Sequence, residues 1–169
     1  KIPGTVHFVV RQDHLAENET LASYLLSIGH VIVVAPGQTD GAAQSLLLAK
    51  DLIKDHDAPL ISVNCDQYLD WDSAAFIEAL DREPDTSFIM TFKENDPKCS
   101  YIRKDSNGYV TEAREKQVIS DDATVGVYHW AKTSDFFRDA EAMIREGHKE
   151  NGEYYVAPVY NYSIARGLK

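Results

Sequence analysis

The feature that most constrains the fold is a short apolar run that ends abruptly in polar residues. Residues 59–63 read Pro-Leu-Ile-Ser-Val, and Asn-Cys-Asp-Gln-Tyr follows at 64–68. Such a run is typical of a buried strand in a parallel or mixed sheet. Asp66 would then lie just past the carboxyl end of the strand, where ligands of open α/β sheets bind. The alternative is that Asp66 caps the following turn or helix, as Asp commonly does.

Strand and helix patterns alternate along the first half of the chain. The predicted strands cover residues 5–10, 30–35, 59–63, 87–92, 100–103, 109–113 and 123–130. The predicted helices cover residues 17–28, 46–53, 72–80, 133–144 and 156–165. Asp105-Ser106-Asn107-Gly108 is typical of a hairpin turn. This order predicts an α/β fold with a mixed, mainly parallel sheet and an added β-hairpin region.

Composition limits the partners and the compartment. The 169 residues suit one domain, and no apolar run reaches transmembrane length. The net charge of −10 disfavours a general nucleic-acid or membrane surface, because both are polyanions. Two cysteines, Cys65 and Cys99, make no disulfide framework, so we expect a reduced, cytoplasmic protein. Because Lys1-Ile2-Pro3-Gly4 runs almost directly into a strand, we expect a piece of a longer domain.

A glycine-containing segment at a strand-to-helix junction, residues 36–45, is a second candidate site. Gly37 and Gly41 would let the backbone approach a ligand closely, and the helix that follows offers free N–H groups. Neither Gly-x-Gly-x-x-Gly nor the P-loop pattern is present, so a dinucleotide or Walker site is not supported. The alternative is a tight turn that leads into a capped helix.

Three further segments can carry chemistry. Asp70-Trp71-Asp72 resembles the metal-holding Asp-x-Asp of glycosyltransferases, although Asp72 also suits a helix N-cap. Residues 112–116 read Glu-Ala-Arg-Glu-Lys, and a Glu beside a Lys can hold sugar hydroxyls and a phosphate together. Such a charge run is otherwise a solvated surface. Gly126 inside a predicted strand indicates close approach by a ligand or another chain segment, or a bulge.

The order of these segments resembles that of the sugar-nucleotide pyrophosphorylases, NTP transferases of the GT-A-like Rossmann fold. The resemblance covers nearly the whole chain. It rests on Thr39-Asp40-Gly41-Ala42-Ala43-Gln44-Ser45, Asn64-Cys65-Asp66-Gln67, Ser100-Tyr101-Ile102, Glu115-Lys116, Gly126-Val127-Tyr128 and the segment from Glu153 to Gly167.

This chain departs from the family in three places. The opening Gly-x-Gly-x-Arg phosphate loop of the family has no counterpart in these residues. The segment that supplies the family's second metal ligand has none either. Ser100-Tyr101-Ile102 lacks the Gly of the family's sugar-contacting strand.

The resemblance implies a fold and a reaction. The fold would be a three-layer α/β/α, Rossmann-like nucleotidyltransferase domain that takes in residues 1–169. The reaction would join a sugar 1-phosphate, or a similar phosphorylated small molecule, to a nucleoside monophosphate from an NTP and release pyrophosphate. It would serve the biosynthesis of nucleotide sugars and cell-surface polysaccharides.

The resemblance also implies three groups of site residues. Asp66 would bind Mg²⁺ and act with Lys116 in catalysis. Nucleotide contacts would come from Thr39, Gly41 and Ala42. Sugar contacts would come from Gln67, Tyr101, Glu115, Lys116, Gly126 and Tyr128. The partners would be an NTP and a sugar phosphate, without nucleic acid or membrane, and homo-oligomerisation stays open.

Two other functions stay open. One is a GT-A glycosyltransferase that uses Asp70 and Asp72 on a nucleotide-sugar donor. The other is a non-catalytic module that binds a nucleotide or a sugar, which the missing phosphate loop would favour. Donor hydrolysis and NTP pyrophosphorolysis would separate the first of these from a nucleotidyltransferase.

Overall fold

The computed structural model describes residues 4–35 and 37–169, with the backbone alone for residues 30–35. Lys1–Pro3 and Pro36, the first residue of the predicted glycine-containing turn, lie outside the described residues. The strands are β1 (His7–Arg11), β2 (His30–Ala35), β3 (Leu60–Val63), β4 (Phe88–Lys93), β5 (Ser100–Lys104), β6 (Val110–Glu115) and β7 (Asp122–Trp130). The helices are α1 (Gln12–Glu17), α2 (Glu19–Ile28), α3 (Ala42–Leu47), α4 (Ser73–Arg82), α5 (Thr133–Glu146) and α6 (Val159–Ala165).

The described strands form one large antiparallel sheet and one small parallel pair. β7 is the central strand of the five-stranded sheet and pairs with β3, β4 and β5, and β6 pairs with β5. Each of these pairings is antiparallel. β1 and β2 pair in parallel as a separate two-stranded sheet. The fold is therefore α/β, as predicted, but the predicted mainly parallel sheet needs correction, since antiparallel pairing dominates the described residues.

Strand direction could not be predicted from the sequence, because buried parallel and buried antiparallel strands have the same apolar composition. The nine residues of β7 show no clean alternation of apolar and polar side chains, and eight of them are buried. That pattern favours a parallel strand on composition, yet β7 runs opposite to each of its partners. The predicted hairpin is confirmed, because β5 and β6 pair across the turn at Asp105 and Gly108.

Two helices differ in extent from the prediction, and one was not predicted. α3 stops at Leu47, and the chain continues to Ile53 in turns whose amides bond three or four residues back. α6 begins at Val159, directly after Pro158, rather than at Val156. α1 lies between the first predicted strand and the first predicted helix, where the sequence pattern predicts neither. Its six residues are too few to give a helical period.

Aromatic side chains on α5, α6 and β7 form the centre of the core. The Trp130 and Tyr160 rings stack with centroids 4.3 Å apart, and Phe136 meets Trp130 edge-on at 4.7 Å. The Tyr160 hydroxyl donates to the His129 carbonyl at 2.9 Å, which attaches α6 to the central strand. Arg166 donates two hydrogen bonds of 2.9 Å to the buried Asp139 carboxylate and so joins the end of α6 to α5.

The N-terminal elements contribute little to this core. None of the side chains described before Ala43 is fully buried. On α2, Tyr24 and Leu26 are 60% and 64% exposed. The residues that line the 570 Å³ cavity likewise all come from Ala42 onward in the chain.

We expect the protein to lose stability below pH 6.5 because of His129. This side chain is 2% exposed, and burial lowers its pKa to about 4. The unfolded chain takes up a proton as the pH falls through about 6.5, whereas the folded chain does so only near pH 4, so acid favours unfolding in that window. The free energy of unfolding should fall by up to about 3 kcal/mol between pH 7 and pH 4 from this group.

Urea unfolding of the wild type and of His129→Gln across this pH range measures the effect. The variant should show a shallower loss of stability than the wild type. His14→Gln is the control, because His14 is exposed on α1. Equal pH dependence in all three proteins would contradict the assignment.

Candidate functional site

A cavity of about 570 Å³ lies at the ends of β3 and β6, beside the middle of β7. Its walls combine apolar, aromatic and hydrogen-bonding side chains, which is the usual character of a small-molecule site. The lining residues are Ala42, Asn64, Gln67, Leu69, Phe92, Lys98, Cys99, Ser100, Glu115, Thr124, Val125, Gly126, Tyr128, Tyr155 and Val156.

Gly126 sets the close approach between β7 and the end of β3. It has a φ of +76°, and a Cβ built there would lie 2.4 Å from Asn64 Nδ2 and 3.1 Å from Gln67 Oε1. The backbone N–H of Asn64 also donates to the Gly126 carbonyl at 3.0 Å. The predicted close approach at this glycine is thus made by another segment of the chain, and it brings two amide side chains into the cavity wall.

Glu115 is the buried carboxylate of the cavity. It is 6% exposed, and the Ser100 hydroxyl donates to one of its oxygens. Burial raises the pKa of Glu115, and the bond from Ser100 acts in the opposite direction. A buried carboxylate beside a hydroxyl suits a ligand that brings its own hydroxyl donors, because such donors would restore the solvation lost on burial.

Two more hydroxyls face the same cavity from β7. The Tyr128 and Thr124 hydroxyl oxygens lie 2.9 Å apart, and Tyr128 is 5% exposed. Burial raises the pKa of Tyr128, so the phenol stays protonated and can both donate and accept. Together with Ser100 and Glu115 these groups form a polar patch inside a largely apolar pocket.

Lys116 follows Glu115 at the edge of the cavity. It is one of two non-glycine residues described with a positive φ, at +52°, and its amide donates to the Cys99 carbonyl at 3.0 Å. Its ammonium group donates to the Tyr155 hydroxyl at 2.8 Å and lies 4.8 Å from the centre of that ring. The hydrogen bond to Tyr155 raises the pKa of Lys116, so a cation stands next to the lining residue Tyr155.

The segment that contains Thr39, Gly41 and Ala42 packs on another part of the chain. Gly41 has a φ of +124°, and a Cβ there would lie 2.5 Å from the Tyr154 carbonyl oxygen. The Thr39 hydroxyl lies 3.2 Å from the Gly41 carbonyl. Ala42 alone of the three lines the cavity. The close approach expected of a ligand at Gly41 is made here by the Tyr154 backbone.

Asp66 lies in the loop after β3, exposed and next to the lining residue Gln67. It makes no hydrogen bond or ion pair within residues 4–35 and 37–169. A free carboxylate suits Mg²⁺, which is often held by one carboxylate together with substrate phosphates. No group of three or more His, Cys, Asp or Glu side chains that could hold a metal occurs in the part of the chain that the structure describes.

Tyr101 does not reach the cavity. It is fully buried, and its hydroxyl donates to the Asp96 carbonyl at 2.8 Å. Ser100, the preceding residue of β5, lines the cavity instead, because successive side chains of a strand point to opposite faces.

Asp72 acts as a helix cap. Its carboxylate accepts from the amides of Ala74 and Ala75 at 3.0 and 3.1 Å, at the start of α4. A carboxylate that accepts from two amides at a helix N-terminus stabilises the helix and would have to break those bonds to bind a metal. This use of Asp72 weakens the Asp-x-Asp interpretation and with it the glycosyltransferase alternative.

Sequence reasoning missed Ser100, Thr124, Tyr155 and Asn64 as cavity residues. Thr124 carried no signal beyond its hydroxyl, and Ser100 lay in a segment in which Tyr101 was the expected sugar contact, since both roles depend on strand register. Asn64 stood beside Asp66 at the predicted strand end and could have been included on that ground. Tyr155 could not have been found, because it reaches the cavity through a loop fixed only in three dimensions.

No family model matches this sequence, and no curated protein matches it either. Solved structures do match. The nucleoside-diphosphate-sugar pyrophosphorylase of Vibrio cholerae RC9 superposes with a TM-score of 0.77 at 21% identity, over 98% of this chain and 70% of that one. A protein assigned as a glucose-1-phosphate thymidylyltransferase of Bacillus anthracis, in complex with a sucrose, superposes with a TM-score of 0.69 at 18% identity. The match covers 96% of this chain and 64% of that one.

A third match is UDP-glucose pyrophosphorylase complexed with UDP-glucose, with a TM-score of 0.64 at 14% identity over 95% of this chain and 63% of that one. At these identities the matches show that this chain shares the fold of the three proteins. The chain spans 63% to 70% of the lengths of these three proteins. None of the helices in the described part of the chain is long and apolar enough to cross a membrane.

Gly41→Val should unfold the protein at lower denaturant concentration. The φ of Gly41 is +124°, a backbone conformation that residues with a side chain rarely adopt. The new Cβ would also overlap the Tyr154 backbone, which cannot move as a flexible side chain could. The loss should exceed about 3 kcal/mol in the free energy of unfolding by urea.

Gly37→Ala is the matched control. Apart from its two chain neighbours, no atom of the part of the chain that the structure describes lies within 4 Å of a Cβ at that position, and it is a glycine of the same segment. Its stability should stay within about 0.5 kcal/mol of the wild type. A Gly41→Val protein as stable as Gly37→Ala would contradict the packing of this segment on Tyr154.

Proposed function

We propose that the protein, as a domain of its full-length form, transfers a nucleoside monophosphate from an NTP to a sugar 1-phosphate or a similar phosphorylated small molecule, and releases pyrophosphate. It would thereby make a nucleotide sugar for cell-surface polysaccharides. The observation that carries this proposal is the buried Glu115 in a cavity with the Ser100, Thr124 and Tyr128 hydroxyls, within a chain that has the fold of sugar nucleotidyltransferases.

The sugar would lie in the polar patch of the cavity. Glu115 would accept hydrogen bonds from sugar hydroxyls, and its burial makes each such bond stronger than at the surface. Tyr128 and Gln67 would donate to sugar oxygens. Gly126 would contribute indirectly, because the absence of a side chain there lets Asn64 and Gln67 lie against β7 in the wall of the sugar site.

The phosphate of this substrate would lie toward Lys116. Its ammonium group is held at the edge of the cavity by Tyr155, and it is exposed enough to exchange that bond for one to a phosphate oxygen. A Lys next to a Glu along the chain then holds the two ends of a sugar phosphate in a fixed relation. Tyr101 would make no sugar contact, because it is fully buried and its hydroxyl donates to the Asp96 carbonyl.

The nucleotide would bind on the Ala42 side of the cavity. Thr39 and Gly41 would contact the base together with Ala42, whose side chain lines the cavity. Asp66, exposed at the end of β3, would hold Mg²⁺ jointly with the phosphates of the NTP. When bound, that ion supplies neutralisation of phosphate charge.

The chemical step needs little covalent work from the chain. An oxygen of the sugar phosphate attacks the α-phosphorus in line, a P–O bond forms, and the bond to pyrophosphate breaks with its electron pair on the leaving group. Glu115 and Tyr128 orient the sugar, and Lys116 offsets the charge of its phosphate. Most of the rate in such transfers comes from positioning and charge stabilisation.

A non-catalytic binding module is the second candidate. These 169 residues contain no Gly-x-Gly-x-Arg phosphate loop, so on their own they would bind ligands yet turn over slowly. Pyrophosphate release by the full-length protein separates the two functions. Release with an NTP, Mg²⁺ and a sugar 1-phosphate supports the enzyme, and binding without release supports the module.

Glu115→Ala should weaken the binding of a sugar 1-phosphate by about 30-fold or more in calorimetry, since a buried charged acceptor is lost. Glucose 1-phosphate and its common epimers serve as probes. Glu78→Ala is the control, because it removes the same charge from an exposed position on α4. Unchanged affinity for the sugar 1-phosphate in Glu115→Ala would show that the sugar does not bind in this cavity.

Asp66→Asn should abolish the gain in NTP affinity that Mg²⁺ provides, because Asn keeps the shape and loses the charge. The measurement is the NTP dissociation constant with and without Mg²⁺ in the wild type and the variant. Asp70→Asn is the control and should behave as the wild type. If Asp70→Asn lost the Mg²⁺ effect and Asp66→Asn kept it, the glycosyltransferase alternative would be favoured.

A further inference from the structure

One loop contacts both sides of the cavity. We refer to residues 149–156 as the clamp loop. Tyr155 and Val156 line the cavity, while neighbouring residues of the loop bond to the segment before α3 and to the end of β6. These two regions are far apart in the sequence and are the proposed nucleotide and sugar sides of the site.

The tip of the clamp loop is a tight two-residue turn. Glu150 and Glu153 exchange two backbone hydrogen bonds of 3.0 Å each, and Asn151 and Gly152 between them have φ values of +49° and +85°. Positive φ at both central residues is the type I′ geometry, for which Asn-Gly is the preferred sequence. The turn therefore fixes the direction in which the Glu150 side chain leaves the backbone.

Glu150 uses its carboxylate to hold the last residue of β6. One oxygen accepts from the Glu115 amide at 2.9 Å. β6 is the last strand in the order of its sheet, so this amide points outward and has no neighbouring strand to bond. Directly after it, Lys116 takes its left-handed conformation, and its amide bonds to the Cys99 carbonyl.

The same loop also holds the segment before α3. The Tyr154 amide donates to the Asp40 carbonyl at 2.6 Å, and the Tyr154 carbonyl accepts from the Ala43 amide at 3.0 Å. Lys149 pairs with the Asp40 carboxylate at 2.6 Å. The clamp loop thus links the placement of Ala42 to the placement of Glu115.

We propose that Glu150 is a positioning residue of the sugar-phosphate site: by accepting from the Glu115 amide, it fixes the end of β6 so that the Glu115 carboxylate faces Ser100 and Lys116 reaches Tyr155. This inference rests on the proposed function of the cavity. Glu150 itself touches no substrate, and it acts through the two residues that do.

The competing explanation is that Glu150 only covers an exposed strand edge. Asn161 does this for the Ala113 amide, with its side-chain oxygen 2.9 Å away. Loss of an edge contact would lower stability and affect all ligands alike. Loss of positioning would affect the sugar phosphate and spare the nucleotide.

Three variants separate these explanations. Glu150→Ala removes the acceptor, Glu150→Gln keeps an acceptor oxygen without the charge, and Glu78→Ala removes a charge from exposed α4. Calorimetry with glucose 1-phosphate and its epimers, and separately with NTPs and Mg²⁺, gives the affinities. Thermal unfolding of each variant reports on the fold.

We expect Glu150→Ala to weaken sugar-phosphate binding by about tenfold or more while NTP affinity stays within about twofold. Glu150→Gln should recover most of the loss, and Glu78→Ala should behave as the wild type. Unchanged sugar-phosphate affinity in Glu150→Ala would overturn the proposal. So would a Gln variant as weak as Ala, or an equal loss of both ligands together with a lower melting temperature.

Hydrogen exchange tests the positioning without any ligand. In Glu150→Ala the amides of Glu115 and Lys116 should exchange about tenfold faster than in the wild type, while the Ala113 amide, which Asn161 holds, keeps its protection. Unchanged exchange at Glu115 would overturn the proposal. If the wild type bound no sugar phosphate but exchange changed as expected, the positioning would stand and the proposed function would fail.

Discussion

The cavity depends on the close approach of two antiparallel strands, β3 and β7, at Gly126. Because Gly126 has no side chain, the side chains of Asn64 and Gln67 can lie directly against β7. The same backbone contact, between the Asn64 amide and the Gly126 carbonyl, extends the pairing of β3 past its last strand residue. The exposed Asp66 thereby comes to lie beside the residues that line the pocket.

Two charged side chains at the cavity, Glu115 and Lys116, bond to neutral partners and not to each other. Glu115 is enclosed and its direct partner is the neutral Ser100, while Lys116 turns away to Tyr155 at the rim. A buried carboxylate without a cation is unfavourable, which is why burial raises the pKa of Glu115, and groups perturbed in this way are frequent at functional sites. This physical argument favours a ligand rich in hydroxyl groups more directly than the shared fold does.

Much of this arrangement follows from the sequence, and the remainder depends on strand direction and register. Local composition predicted three features: the strand end at Asp66, the close approach at Gly126 and the hairpin. It is sufficient for such features because each depends on the conformational preference of a few neighbouring residues. Tyr101 shows the limit, since a shift of one position along a strand exchanges the cavity face for the opposite face, and Ser100 took the place expected of it. The direction of β7 and the role of Tyr155 depend on contacts between distant segments, which no local pattern encodes.

The most direct test of the central claim is a titration of the isotopically labelled protein with glucose 1-phosphate, followed by amide chemical shifts. The account predicts that the largest shifts occur at Ser100, Glu115, Gly126 and Tyr128, whose side chains or backbone line one cavity. Shifts that were absent with every sugar phosphate tried, or that clustered away from this cavity at the β5–β6 hairpin turn, would contradict it.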